Sequence, residues 1–195
     1  MCSSDLYYLM PVVGLALATQ TTFSDNSLDD ELDGKWGNSI GLSAGRRWDN
    51  WMAYMRVAYQ YLEYENHNFS GNGDIPTKVD GTEESYSVSV GGGYSISLTK
   101  GLSTYGLCGI GTAWRKNRAD LYERLIPDEG YLHNNGLSKT HSSLVFTYDF
   151  SMGLEYMFAN NYSMLLGYRL LGLTSNKSFE GSFQHLIELG VGANF

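Results

Sequence analysis

The sequence predicts an all-β fold, an eight-stranded antiparallel up-and-down transmembrane β-barrel, and three observations carry this prediction. Apolar residues alternate with small or polar residues over eight segments, as in strands whose two faces meet different surroundings. The connections between these segments alternate between short and long. Glycine and tyrosine are abundant, at 23 and 15 residues, whereas proline occurs only 3 times, which suits many strands with one narrow face.

The clearest alternation spans residues 85–98. One face carries apolar side chains with a tyrosine near each end, while the other carries only serine and glycine. The first face suits lipid and the second suits a narrow lumen. The same reasoning predicts the seven other strands, at residues 6–18, 36–44, 51–64, 102–114, 144–158, 162–173 and 183–195.

The connections favour a membrane barrel over a soluble β-sandwich, which has no reason to alternate its loop lengths. Short connections are predicted at residues 47–50, 99–101 and 159–161, and long ones at residues 19–35, 65–83, 115–141 and 175–181. Small bacterial barrels have short periplasmic turns and longer extracellular loops, so we expect both termini on the periplasmic side.

Aromatic residues support the same choice, because they fall near the predicted strand ends, where interfacial girdles form. A soluble lipocalin-like barrel would instead turn its apolar face inward and carry fewer aromatic residues at the ends. The residues that would form the girdles are Tyr7, Tyr8, Trp36, Trp51, Tyr105, Trp114, Tyr148, Tyr156, Phe158, Tyr162 and Phe195.

Composition excludes several classes of protein. The net charge is −8 and the pI is about 4.9, whereas nucleic-acid binding needs a basic surface that neutralises phosphates. No run approaches the roughly 18 apolar residues of a transmembrane helix. The two cysteines, Cys2 and Cys108, lie before the first strand and inside a strand, so they do not form a disulfide framework.

Three motifs resemble a known family. The last strand carries the apolar series Leu189, Val191, Ala193 and Phe195, which resembles the C-terminal signature read by the barrel-assembly machinery. Residues 8–15 resemble the first strand of small outer-membrane β-barrels of the opacity and OmpA/OmpX types. Arg169 resembles the inward arginine on the penultimate strand of these barrels. The resemblance covers nearly the whole chain.

The resemblance implies a place in the bacterial outer membrane. The partners it implies are outer-membrane lipid and lipopolysaccharide and the barrel-assembly machinery, with a possible host or surface ligand, and it implies a monomer. Residues 1–5 lack the basic region of a signal peptide, so we expect that this chain carries none. We expect residues 1–5 to be a non-barrel N-terminal remnant and residues 6–195 to form the barrel domain.

The predicted lumen face carries charged residues. Because the interior of an eight-stranded barrel is just filled by side chains, such charges must be paired or hydrated. We predict that Glu155, Arg169 and Glu188, on the last three strands, form a lumen ion network with Arg56 nearby. Asp149 belongs to the same face. The network would act as a polar plug, with a gated pore as the alternative.

Two long connections are candidates for ligand contacts. The connection at residues 19–34 is acidic, and Asp29, Glu31 and Asp33 could offer oxygen ligands to a divalent cation; the alternative is a solvated acidic loop. The connection at residues 115–141 combines basic and aromatic residues. It could contact lipid A phosphates, host glycans or host proteins, or be a variable surface loop. Its basic residues are Arg115, Lys116, Arg118 and Arg124.

No catalytic residues, metal ligands or cofactor are predicted. His141 and Ser143 form a pair near the outer rim, but Glu155 lies about 40 Å away along the same strand and cannot complete a triad. We therefore predict a non-enzymatic surface protein that supports envelope integrity or binds ligands in an adhesion-type manner through four extracellular loops. The alternatives are an outer-leaflet lipid A-modifying enzyme and a small diffusion channel.

Overall fold

The computed structural model describes residues 6–19, 21–25, 28–70, 76–123, 132–133, 139–159, 161–175 and 181–195. The expected remnant at residues 1–5 lies outside them. In the described part, the chain forms strands and no helix long and apolar enough to cross a membrane. The strands are β1 (Leu6–Ala18), β2 (Thr21–Asp25), β3 (Leu28–Gly34), β4 (Trp36–Trp48), β5 (Trp51–Ser70), β6 (Pro76–Thr99), β7 (Leu102–Glu123), β8 (Leu132–His133), β9 (Lys139–Ala159), β10 (Tyr162–Leu173) and β11 (Ser182–Asn194).

Eight of these strands form a closed antiparallel barrel, which confirms the predicted fold class. Each barrel strand pairs with the barrel strand that follows it along the chain. In chain order the eight barrel strands are β1, β4, β5, β6, β7, β9, β10 and β11. β1 also pairs with β11, from Tyr8 opposite Asn194 to Ala18 opposite Gln184. Closure pairs every barrel strand on both sides over the part that forms the closed barrel. β2, β3 and β8 lie at the end with the long connections.

The outward face is an apolar belt. Side chains of this face are about half exposed, and in water so large a continuous apolar surface would cause association. In a membrane the same surface meets lipid. Belt residues include Val13, Leu15, Ile40, Met55, Val57, Val88, Val90, Ile110, Phe146, Leu154, Met164, Leu166, Ile187, Leu189 and Val191.

Two residues expected in the aromatic girdles point into the lumen instead. Tyr8 and Tyr105 are buried, because they have the same parity along their strands as Met10 and Leu107, which also point inward. The other predicted girdle residues are exposed on the outside.

Five strands are longer than predicted. β4 continues to Trp48, and the other four extend into the connections predicted at residues 65–83 and 115–141, so those boundaries were wrong. The pairing of β5 with β6 continues to Ser70 opposite Pro76, and that of β7 with β9 to Ala119 opposite Lys139. The apolar alternation in the sequence stops before these strands end, but their backbone pairing continues beyond it. β5, β6, β7 and β9 therefore extend past the belt on the side of the long connections.

The turns at the opposite end are tight. Asp49 and Gly101 have positive φ angles of 53° and 87°, the left-handed conformation that short hairpin turns require. The short connections there contrast with the extended strands at the other end. Following the expectation that short turns lie in the periplasm, we name the end with the tight turns the periplasmic end and the opposite end the outer end.

Candidate functional site in the barrel lumen

Four charged side chains meet near the middle of the lumen. Arg56 on β5 reaches across to Glu188 on β11, with Nη1 3.1 Å from Oε2. Arg169 on β10 lies between two carboxylates, 3.7 Å from Glu188 and 3.6 Å from Asp149. The Tyr54 hydroxyl donates to Asp149 Oδ1 over 2.7 Å. All five side chains are buried, so each charge depends on these neighbours for its stability.

The structure separates Glu155 from this central cluster. Glu155 lies opposite Leu165 on β10, whereas Arg169 lies opposite Ser151. That offset of four residues places the two side chains about 13 Å apart along the strands. Glu155 instead pairs with Arg47, whose Nη2 lies 2.5 Å from Glu155 Oε2. The predicted grouping was therefore wrong for Glu155.

The Arg47–Glu155 pair lies at the periplasmic end of the lumen. It borders a cavity of about 180 Å³ that is lined also by serine and threonine side chains of β6 and β7 and by the tight turns. The Arg47 side chain is 15% exposed there, whereas those of Arg56 and Glu188 in the central cluster are 5% exposed.

A third set of charges lies near the outer end. Glu83 Oε2 accepts hydrogen bonds from Arg115 over 2.7 Å and from the Tyr64 hydroxyl over 3.0 Å, while Oε1 accepts from Gln184 Nε2 over 2.7 Å. Arg115 also donates to Ser182 Oγ over 3.2 Å. Glu83 is thus held by three donors on different strands.

Arg115 was expected to contact ligands from a loop, and the structure corrects this. The residue lies within β7 and its side chain has 0% exposure, because it has the inward parity of Ala113. Lys116 and Arg118 are on the outer face of β7, about half exposed, where they pair with Glu84 at 3.9 Å and Asp120 at 2.9 Å. Arg124 lies outside the described residues.

Apolar and aromatic side chains occupy the space between the three sets of charges. One of two apolar clusters, the inner cluster, lies toward the periplasmic end of the lumen. The other, the outer cluster, lies toward the outer end. The inner cluster contains Tyr8, Met10, Val12, Met52, Tyr54, Tyr105, Leu107 and Leu165. The outer cluster contains Ala16, Ala18, Leu62, Tyr64, Ala113, Val145, Leu171, Leu173 and Leu186.

Glycines make room for the large rings of the inner cluster. The Tyr54 ring lies against Gly91 and Gly109, on the two strands next to β5 along the sheet. A Cβ on Gly91 would lie 2.7 Å from Tyr54 Cε1 and would overlap the Cys108 carbonyl. The ring therefore spans the lumen only because these positions lack side chains.

His141 and Ser143 lie on the inward face of β9, two residues apart. His141 Nε2 and Ser143 Oγ are buried, and neither has a hydrogen-bond partner within the described residues. In the same part of the chain, no group of three or more His, Cys, Asp or Glu is arranged to hold a metal ion. The side chains of Asp29, Glu31 and Asp33 are outside what the structure describes.

The proposed assembly signature lies at the seam where the barrel closes. Leu189, Val191 and Phe195 are exposed to lipid, and Ala193 lies between them on the same face. The backbone amide and carbonyl of Phe195 exchange two hydrogen bonds of 2.9 Å with Tyr7, and the two rings stack 6.5 Å apart. The Arg46 guanidinium lies 5.6 Å above the Tyr7 ring.

Sequence reasoning missed Arg47 and Glu83 as members of the lumen. Both had been assigned to connections, where the apolar outward alternation fades. The inward alternation does continue, through Ser43 and Gly45 to Arg47, and from Ser87 and Ser85 to Glu83. Following the polar face rather than the apolar one would have found them.

Comparison with solved structures gives the same architecture. Neisserial surface protein A is 17% identical, with 97% of each chain covered and a TM-score of 0.55. OprG from Pseudomonas aeruginosa is 12% identical, with 99% of this chain and 97% of that chain covered and a TM-score of 0.52. The outer membrane protease OmpT from Escherichia coli is 10% identical, with coverage of 100% and 98% and a TM-score of 0.50.

At these identities the structural likeness establishes the fold alone. No protein of curated function shows significant sequence similarity to the chain. The model of the outer membrane protein beta-barrel domain matches residues 10–195, which include all of the barrel except the first four residues of β1. The chain therefore belongs to the outer membrane protein beta-barrel domain family and is a protein of the bacterial outer membrane.

Proposed function

We propose that this protein is a non-enzymatic surface protein of the outer membrane that binds partners through its extracellular part. The observation that supports this most is the contrast between its two halves. Three successive sets of paired charges occupy the lumen, while β5, β6, β7 and β9 extend past the apolar belt. The membrane part acts as an anchor, and the extension carries the binding surface.

The same contacts argue against the alternative of a diffusion channel. An ion that crosses the lumen has to separate the buried pairs Glu83–Arg115 and Arg56–Glu188 and to displace the rings of Tyr54 and Tyr105. Leaving one buried charge without its partner costs about 3–5 kcal/mol. The charges therefore act as a polar plug that holds the barrel wall together.

The barrel acts as a monomer, because every barrel strand is paired on both sides within one chain. Its lipid-facing belt contacts outer-membrane lipid. Lys116 and Arg118 lie just above Trp114 on β7, at the height where the anionic groups of lipopolysaccharide begin, and they contact those groups. Phe195 and its outward neighbours serve as the signal for the barrel-assembly machinery.

Shortening the β5–β6 extension tests the proposed role. In the variant, a four-residue turn made of glycine and asparagine replaces residues 65–81. This deletion removes only paired backbone that lies above the belt. We expect the variant to fold, with a heat-dependent gel mobility shift, and to restore detergent resistance to a deletion strain. Its adherence to epithelial cell monolayers should fall to the level of the deletion strain.

A control variant keeps the full length but scrambles the order of residues 65–81. Loss of adherence in both variants would indicate that the sequence of the extension matters. Unchanged adherence in the shortened variant would contradict a binding role for this extension. If the shortened variant lost detergent resistance but kept its adherence, the protein would act in envelope integrity rather than in binding.

The Ser143→Ala variant tests the alternative of a lipid A-modifying enzyme. Because Ser143 points into the lumen and accepts or donates no hydrogen bond in the described part of the chain, it lacks the base that activates a nucleophile. We expect the lipid A mass spectrum of cells expressing Ser143→Ala to equal that of wild-type cells. A modification that is present with wild type and lost with Ser143→Ala would overturn the non-enzymatic assignment.

A further inference from the structure

A hydrogen-bonded polar pair lies on the lipid-facing side of the barrel. The Tyr168 hydroxyl on β10 is 2.6 Å from His185 Nδ1 on β11, and the ring centroids are 6.0 Å apart. Both residues have the outward parity of Leu166 and Ile187, which are exposed to lipid. Both are half-buried, so their polar atoms lie at the surface of the barrel rather than in its lumen.

The register places this pair in the outer leaflet. Gly172 lies opposite both Tyr148 and Phe183, and these two rings meet edge to face across it, 6.1 Å apart. His185 lies two residues closer to the periplasm than Phe183, and Tyr168 lies four residues closer than Gly172. At strand rise and a tilt of about 40°, the pair is therefore about 5–10 Å below this outer aromatic row.

The pair cannot satisfy its own hydrogen-bonding groups. If the tyrosine hydroxyl donates to Nδ1, the imidazole carries its proton on Nε2, and this N–H remains as a donor. If Nδ1–H donates instead, the tyrosine O–H remains as a donor. In either tautomer one donor is left, and among the described residues the two side chains make no other hydrogen bond.

Among the described residues, the neighbouring side chains offer no oxygen or nitrogen acceptor for this donor. The outward residues directly opposite Tyr168 and His185 are Leu17, Met152, Leu170 and Ile187, which are apolar. A polar hydrogen left unpaired in hydrocarbon is costly, and intramembrane polar residues commonly mark functional sites. The acceptor therefore has to come from the lipid.

We propose that Tyr168 and His185 form a binding site for the acyl carbonyl of an outer-leaflet lipid. Ester and amide carbonyls lie just below the headgroups, at the depth of this pair, and they accept hydrogen bonds without donating any. The apolar residues around the pair hold the attached chain. The site thus selects lipids by their linkage chemistry and fixes one lipid against the β10–β11 wall.

The test compares lipids that differ only in this carbonyl. The full chain is refolded in detergent, and native mass spectrometry measures the retention of diester phosphatidylethanolamine and of its diether analogue, which lacks the carbonyls. We expect wild type to retain the diester lipid about fivefold more, the effect of one net hydrogen bond. Tyr168→Phe and His185→Phe should each remove this preference.

Tyr86→Phe is the matched control, since Tyr86 is a lipid-facing tyrosine on β6, and it should keep the preference. Equal retention of both lipids by wild type, or a preference that survives both Tyr168→Phe and His185→Phe, would overturn the proposal. So would dimers of wild type that disappear in these variants, because the pair would then be a protein contact.

Lipid A, which is acylated through both esters and amides, forms a third arm that identifies the source. If wild type retains lipid A better than the diester lipid, and Tyr168→Phe loses this difference, the result supports the site with lipid A as its ligand. Retention of the diester lipid at or above that of lipid A supports it with a phospholipid ligand. The gel mobility shift of each variant verifies that the barrel is folded, and His185→Gln replaces His185→Phe if the latter does not fold.

Discussion

Replacing Glu188 by leucine is expected to destabilise the barrel by about 3–5 kcal/mol. Glu188 is the carboxylate that Arg56 and Arg169 share, at 3.1 Å and 3.7 Å. Without it, two buried guanidinium groups remain with Asp149 as the nearest carboxylate, and they repel each other in a medium that screens charge poorly. The substitution should reduce the free energy of unfolding in urea for protein refolded into lipid vesicles.

Glu84→Leu is the matched control, because it makes the same chemical change at an exposed ion pair. Glu84 lies on the outer face, and its carboxylate is 3.9 Å from Lys116. Exposed pairs of this kind contribute about 0–1 kcal/mol. If Glu188→Leu and Glu84→Leu reduce the free energy of unfolding equally, the central cluster does not stabilise the barrel.

Adding one methyl group at Gly91 is expected to destabilise the barrel by about 1–3 kcal/mol. The new Cβ in Gly91→Ala would lie 2.7 Å from both Gly109 Cα and Tyr54 Cε1. The backbone atom cannot move without breaking the β6–β7 pairing. Displacing the Tyr54 ring would in turn break its 2.7 Å hydrogen bond to Asp149. Urea unfolding and the temperature of the gel mobility shift measure the effect.

Gly106→Ala provides the comparison, since a Cβ at Gly106 has no neighbour within 4 Å. There the methyl group faces lipid, and alanine also reduces the conformational freedom of the unfolded chain. We expect Gly106→Ala to be neutral or slightly stabilising. If Gly106→Ala lost as much stability as Gly91→Ala, glycine would be needed at these positions for its backbone conformation. It would then not be needed to make room for the Tyr54 ring.

The alternation predicted the strands well wherever lipid touches them. It placed Val88 and Val90 outside and Ser87 and Ser89 inside, because a one-residue slip would turn every side chain to the wrong face. It failed above the belt, as in the pairing of Ser70 with Pro76, because the sequence there has no apolar alternation. Without two different surroundings, a strand leaves no period-two signal, although its backbone pairing continues.

Parity also predicted that Arg56, Arg169 and Glu188 face the lumen, but it could not assign partners. The partner of a lumen charge depends on the register between strands, which determines its height. Glu155 and Arg169 have the correct parity on adjacent strands, yet they lie four residues apart in register. Arg115 was misplaced for a different reason. The strand predicted at residues 102–114 was too short, so Arg115 was assigned to the connection that follows it.

The seam between β1 and β11 has a consequence for the time course of folding. Tyr7 and Phe195 pair directly, although they are separated by almost the whole chain. β1 is the first barrel strand along the chain, but the partner of its free edge is the last barrel strand, β11. Contacts this distant in sequence form slowly, and the edge is prone to pair with other chains until then. We therefore expect the free edge of β1 to be the part of the unfolded chain that is most prone to aggregation before the barrel closes.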